Sequence, residues 1–229
     1  MNLTDNQNIY LGISEKKDGP MKNSLENRFL FFKNKKLDKK IIISAGLNHE
    51  NKVVVIDNLD ESTIIPNCDA LITNQDKYLL TITVADCLPI YFYDKNKKVI
   101  ALAHAGWRGV VSEIATEVIK SLVGNYGSSP KDIEVFIGPH IQNCHFEVKN
   151  DVMSQFKTSD SVIQDEKIYI NLSRVVKNQL IESGIAKNNI DISPDCTYCL
   201  NDKYFSFRRD NPKELETMIA YIGLKSVIY

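Results

Sequence analysis

A mixed α+β fold, in one domain spanning residues 1–229, is the expectation from three features of the chain. Apolar runs of period two or of continuous β-branched residues crowd its middle, helical rhythms are scattered among them, and no strict strand-helix-strand alternation appears. With 229 residues, 43% of them hydrophobic and 25% charged, the chain suffices for one large core, and nothing calls for a second. Layered mixed sheets covered by helices follow.

Taken in order, strands are expected over Ile9 to Ile13, Ile41 to Ala45, Val53 to Ile56, Tyr78 to Val84, Leu88 to Tyr93, Val99 to His104, Ile133 to Ile137, Lys167 to Ile170 and Ser226 to Tyr229. A helix is expected over Val110 to Leu122, where Val110, Ile114, Val118 and Leu122 share one face and Gly124 lies just past the end. Asn171 to Glu182 gives a second, with Leu172, Val175, Val176 and Leu180 on its apolar side and Gly184 closing it. A third is expected over Pro212 to Ile222, since proline suits a first helical turn. Internal repeats, low-complexity tracts and long linkers are absent from the sequence.

Composition excludes several function classes. A formal net charge of -1 without a dense Lys/Arg stripe does not suit a general nucleic-acid binder, and the Lys33 to Lys40 cluster reads as a solvated surface turn. The first residues carry neither a basic start nor an apolar signal core, and no apolar run reaches the length of a membrane span, so a cytoplasmic protein is expected. Cys68, Cys87, Cys144, Cys196 and Cys199 are odd in number and irregular in spacing, which suits reduced thiols better than a disulfide framework.

Those thiols and four histidines mark the candidate chemistry. Cys87 sits at a Pro-restricted corner between two strands, and His104 ends another, just before Ala105-Gly106-Trp107-Arg108-Gly109 and a helix. His49 lies in a polar turn between the strands at 41–45 and 53–56. Together the three suggest a Cys/His2 metal site, and three protein ligands leave a fourth position for water or substrate, the pattern of a catalytic rather than a structural zinc. Sequence spacing alone does not make them converge, and a free cysteine is also commonly a small buried hydrophobe. The strand-turn-helix junction at 104–110 is a candidate phosphate pocket, with Arg108 adding bidentate donors; the alternative is a tight turn with Trp107 in the core. His140, Cys144 and His145 lie in a loop after the strand at 133–137, where ligands commonly bind. Cys196-Thr197-Tyr198-Cys199 has the spacing of a redox or zinc pair, but no matching second pair follows it. Tyr204 to Asp210 combines aromatic faces with Arg208 and Arg209, fit for base stacking and phosphate contact or for a plain surface strand.

Five segments in order, Cys68-Asp69-Ala70-Leu71-Ile72-Thr73, Ala85-Asp86-Cys87-Leu88-Pro89-Ile90, His104-Ala105-Gly106-Trp107-Arg108-Gly109, Ile137-Gly138-Pro139-His140-Ile141 and Phe205-Ser206-Phe207-Arg208-Arg209-Asp210, resemble the signatures of the laccase-domain family, also called the polyphenol oxidoreductase or purine nucleoside phosphorylase family. The resemblance runs from about Ile41 to Asp210. It implies a single-domain layered α/β/β/α sandwich and a zinc ion on His49, Cys87 and His104. It further implies phosphorolysis of adenosine, inosine and methylthioadenosine to free base and sugar 1-phosphate, with an adenosine deaminase activity. On this reading Asp86 orients the turn or accepts a proton, while Arg108, Arg208, Arg209 and His140 contact substrate. The expected partners are purine nucleosides and phosphate, with no nucleic acid, membrane or obligate protein partner.

The family was earlier described as copper-dependent, but four histidines are few for several imidazole-held coppers, so zinc is expected ahead of copper. Departures from the family pattern are Leu47-Asn48-His49-Glu50 around the first histidine, Cys144-His145-Phe146 in place of Cys-Cys-Tyr, a shortened loop near Gly19-Pro20-Met21 and the loss of Thr-Gly-Arg after Asp210. Competing readings are a Cys/His nucleophilic hydrolase with Cys87 attacking, a copper-dependent polyphenol oxidoreductase, and a non-catalytic zinc-binding module.

Overall fold

The computed structural model describes residues 6–22 and 24–226. Fourteen strands and six α-helices are found among them. A five-stranded sheet contains β1 (Ile9–Ile13), β2 (Ile41–Gly46), β4 (Thr63–Pro66), β6 (Tyr78–Val84) and β14 (Met218–Leu224), in the order β1-β14-β6-β2-β4. A six-stranded sheet contains β3 (Val53–Val55), β5 (Ala70–Thr73), β7 (Leu88–Asp94), β8 (Val99–Ala105), β9 (Ile133–Ile137) and β13 (Ile190–Ile192), in the order β13-β9-β7-β8-β5-β3. Both mix parallel and antiparallel neighbours: β2 runs parallel to β4 and β6, while β7 is antiparallel to β8 and β9. A small antiparallel sheet of β10 (Glu147–Val148), β11 (Ser161–Gln164) and β12 (Lys167–Ile170) completes the set.

Strand alternation assigns the layers. On β7 and β8, Tyr91, Tyr93, Ile100 and Leu102 point toward the five-stranded sheet and pack with Leu80, Ile82, Ala220 and Ile222. The neighbouring residues Leu88, Ile90, Phe92, Ala101 and Ala103 point the other way. They meet Val110 of α2 (Trp107–Val111), Ile114, Val118 and Leu122 of α3 (Ile114–Tyr126), and Val176 and Leu180 of α5 (Leu172–Glu182). On the far side, Leu79, Ile219 and Tyr221 are covered by Phe31 and Phe32 of α1 (Leu25–Asn34), whose rings meet Tyr221 edge-on at 5.8 and 5.7 Å. The result is an α/β/β/α stack, with the short helices α4 (Asn150–Met153) and α6 (Phe207–Asp210) beside it.

Several expectations need correction. Residues 218–224 form a strand, not the end of a helix from Pro212. This run is buried on both faces, because β14 lies inside its sheet and between two layers, and such a continuous apolar run has no periodicity to separate strand from helix. The helix expected over 110–122 is two helices, broken at Ser112 and Glu113, and Gly127 at φ +63°, not Gly124, ends the second. The polar turn expected to hold His49 between two strands is a connection between sheets, since β2 and β3 belong to different ones. The strand expected over Ser226 to Tyr229 falls on 227–229, outside the described residues.

That last topological point positions everything that follows. Three short connections carry the chain from the five-stranded to the six-stranded sheet at one end: after β2 through residues 47–52, after β4 through 67–69 and after β6 through 85–87. The parallel pairing of β2 with β4 and β6 forces all three exits to the same edge.

Candidate metal centre

Each crossing delivers one functional side chain. His49 comes from the first, Asp69 from the second and Cys87 from the third, and β8 ends at the same edge with His104 on its inter-sheet face. The ligand atoms of His49, Cys87 and His104 all lie within 4.8 Å of one another. The two imidazoles meet edge to face at 4.7 Å between ring centres. His104 is buried, Cys87 half-buried and His49 exposed, so the cluster opens on one side.

Asp69 holds this arrangement together. Fully buried, it accepts a hydrogen bond from His104 Nδ1 at 2.9 Å and from the backbone N–H groups of His49 and Glu50, both at 3.0 Å. One carboxylate thereby orients one ring and fixes the loop that carries the other, which lets His49 keep a left-handed φ of +62°. With Nδ1 donating to Asp69, His104 presents Nε2 to the cluster, the carboxylate–histidine arrangement that supports metal ligands. Burial disfavours the Asp69 charge, but the hydrogen bond from His104 and those from Glu50 and His49 outweigh it and keep its pKa below the ordinary value. Sequence reasoning missed the role of Asp69, although an aspartate directly before the wholly buried β5 was the available signal.

Electrostatics couple the thiol and the imidazole. Burial pushes the Cys87 thiol up, yet the charge of His104 and hydrogen bonds from His104 and His49 overcome this and bring it down to about 6. Burial alone would depress His104, whereas the Cys87 thiolate and the Asp69 carboxylate raise it to about 9. A thiolate and an imidazolium therefore face each other. Gly106, the N-cap of α2, closes over them: a Cβ there would stand 3.1 Å from His49 Nδ1 and 3.2 Å from Cys87 Sγ. Two imidazoles and a thiolate with a carboxylate behind one of them, in a cradle where even a methyl group would be tight, fit a divalent metal with an open coordination position.

Asp86 directs Cys87 from beside it. At φ +86° it forms the sharp corner between β6 and β7, and its carboxylate accepts from Thr197 Oγ1 at 2.7 Å, Ser206 Oγ at 3.0 Å and the Arg208 backbone N–H at 2.7 Å. A cleft of about 260 Å³ opens beside Cys87, with Trp107, Phe146 and Phe207 on its walls and both Arg108 and Arg208 at its lining. A second hollow, of about 510 Å³, lies on the other side of His49 and Cys87 and also reaches His104.

The structure does not bring Arg209 or His140 to the lining of either hollow. The Arg209 guanidinium donates to the carbonyls of Thr197, Tyr198 and Tyr204 and to Asp210, which makes it a clamp on the chain before α6. His140 is 1% exposed, with Nδ1 bonded to the Gly138 carbonyl at 2.8 Å, and burial pulls its pKa down to about 4. No helix among the described residues is long and apolar enough to cross a membrane.

Known proteins resemble this chain in sequence and in fold. The purine nucleoside phosphorylase YlmD of Bacillus subtilis is 32% identical over 197 residues, covering 80% of this chain and 70% of that protein. A purine nucleoside phosphorylase of Clostridium acetobutylicum is 34% identical over 173 residues, covering 73% and 72% respectively. The crystal structure of YlmD from Geobacillus stearothermophilus superposes with a TM-score of 0.88, at 24% identity, over 96% of this chain and 93% of that one, and shares the fold. The profile of the family described as "Multi-copper polyphenol oxidoreductase laccase" matches residues 9–225, and the chain is a member of that family.

Proposed function

We propose that this chain is a metal-dependent purine nucleoside phosphorylase that converts adenosine, inosine and methylthioadenosine to free base and sugar 1-phosphate, with an accompanying adenosine deaminase activity. The single observation that carries the reading is the convergence of His49, Cys87 and His104 beside a cleft lined by two arginines and three aromatic rings. Relatives bearing the phosphorylase name supply the substrate class. Zinc is the metal that the thiolate and two imidazoles favour, and when bound it supplies Lewis acidity at its open position.

The chain's own residues do the rest. Arg108 and Arg208 place fixed positive charge where a phosphate dianion would sit, Arg108 with its guanidinium held over the Trp107 ring at 4.4 Å. Arg208 is fixed at its backbone by Asp86 and at its guanidinium by the Glu147 carbonyl. Trp107, Phe146 and Phe207 offer apolar faces to a purine and exclude water from it. Holding phosphate and nucleoside in line in such a cleft accounts for much of a phosphorolytic rate gain. Asp86, with its oxygens taken up by three donors, acts as a positioning residue and not as a proton acceptor. We also assign the protein to the cytoplasm, where its five unpaired cysteines would stay reduced.

A second reading has one observation in its favour. The Cys87 thiolate, His104 imidazolium and Asp69 carboxylate form a nucleophile-base-orienter series. A Cys/His hydrolase would need Cys87 free of metal, so zinc bound in stoichiometric amount through Cys87 argues against it. The test of the main proposal is incubation of purified protein with adenosine or inosine and phosphate, followed by chromatography. Release of adenine or hypoxanthine that depends on phosphate is expected; no base above that of a Cys87→Ala control rejects the proposal.

A further inference from the structure

A second cluster of metal-ligating side chains lies outside the cleft. Cys144 and His145 follow β9, and Cys196 and Cys199 follow β13; these two strands are parallel neighbours, so both loops leave the same end of the six-stranded sheet. The loops are joined by a parallel bridge between His140 and Cys196 and by the Thr197 N–H donating to the His140 carbonyl at 3.0 Å. One ligand atom from each of Cys144, His145, Cys196 and Cys199 lies within 4.8 Å of all the others. We propose that these four residues form a structural zinc site of Cys3His type, separate from the centre at Cys87.

Geometry supports four-coordination. Cys144 Sγ is 3.7 Å from both Cys196 Sγ and Cys199 Sγ. With a zinc–sulfur bond of about 2.3 Å, the edge of a thiolate tetrahedron is about 3.8 Å. His145 Nδ1 points to the same centre, 3.2 Å from Cys144 Sγ and 3.3 Å from Cys199 Sγ, which a metal would open by a few tenths of an ångström. The ring is held in this pose by stacking on Tyr198, 4.0 Å between centres and 15° from parallel. The Gln142 backbone N–H donates to Cys196 Sγ at 3.4 Å, a contact that favours the thiolate. Three thiolates and one imidazole select zinc over harder cations, and four protein ligands leave no open position, so the site is structural. The C-x-x-C spacing lacked a second pair in sequence because that pair is Cys144-His145, brought in by the sheet.

The consequence is a clip on the wall of the cleft. Ile141 and Phe146, which line it, bracket Cys144 and His145, while Thr197, between the other two ligands, bonds to Asp86 beside Cys87. The test is zinc analysis of protein purified under reducing conditions without chelator, in the wild-type, Cys87→Ala and Cys87→Ala/Cys199→Ser forms. Cys87→Ala is expected to keep one zinc per chain, and the double variant to lose it and melt at a lower temperature. Cobalt substituted into Cys87→Ala is expected to give tetrahedral bands with thiolate charge-transfer absorption, abolished by Cys144→Ser. Zinc-free Cys87→Ala, or zinc that survives Cys199→Ser and Cys144→Ser alike, overturns the proposal. Because the deciding arms all carry Cys87→Ala and none uses substrate, the result is independent of the phosphorylase assignment.

Discussion

Asp69 is the residue on which the metal centre turns, since it orients His104 and ties down the backbone of His49 at once. Asp69→Asn keeps the shape but weakens the acceptor and leaves the His104 tautomer unfixed. Zinc affinity at the Cys87 site is expected to fall about 10- to 100-fold, measured by competition with a chromophoric chelator; unchanged affinity would show that the carboxylate is dispensable. The thiolate–imidazolium pair predicts a pH dependence with a definite sign. Binding requires Cys87 ionised and His104 neutral. Between the Cys87 value of about 6 and the His104 value of about 9, the thiol has already lost its proton while the imidazole still holds one. Metal binding therefore displaces one proton from this pair, and affinity is expected to rise about tenfold per pH unit up to pH 9 and then level off. Isothermal titration in buffers of different ionisation enthalpy counts that proton, and binding without net proton release at pH 7.5 would contradict the pairing. The sequence showed the three ligands by their type and their place at strand ends. For Asp69 it offered only the weak signal of an aspartate directly before the wholly buried β5, because a carboxylate that serves neighbours from two other segments leaves no spacing pattern of its own.

At the scale of elements, the corner between β6 and β7 aims Cys87. Asp86 adopts a left-handed conformation there and gathers Thr197, Ser206 and the Arg208 backbone, all from the segment between β13 and the end of α6. Asp86→Ala leaves three donors without their charged acceptor, and a loss of about 3 kcal/mol in unfolding free energy is expected from denaturant titration. A loss below about 0.5 kcal/mol would mean that water replaces the carboxylate freely. Most strands with clear alternation or dense β-branching, such as β6 and β9, were legible to the residue. Short edge strands such as β4, and β13 with its polar centre Asp191, were not, because their pairing partners and not their own pattern define them. β14 was misread as helix for the opposite reason, a surplus of apolar residues on both faces.

For the whole molecule, the central feature is the set of three crossings from the five-stranded to the six-stranded sheet, all at one edge. Layering was predictable from the density of apolar runs, but crossings were not, since a strand pair that changes sheet reads like a hairpin. That is why the polar turn at His49 gave no local sign of its approach to Cys87. The same topology explains why removing the metal at this centre need not unfold the protein: the inter-sheet core around Leu80, Tyr91, Leu102 and Ile222 is complete without it. The most direct measurement is zinc content and inosine phosphorolysis determined together for wild type and Cys87→Ala. The account predicts that the variant loses one zinc per chain and its phosphate-dependent hypoxanthine release together while keeping a cooperative thermal transition; a folded variant that lacks that zinc yet releases hypoxanthine at the wild-type rate would contradict it.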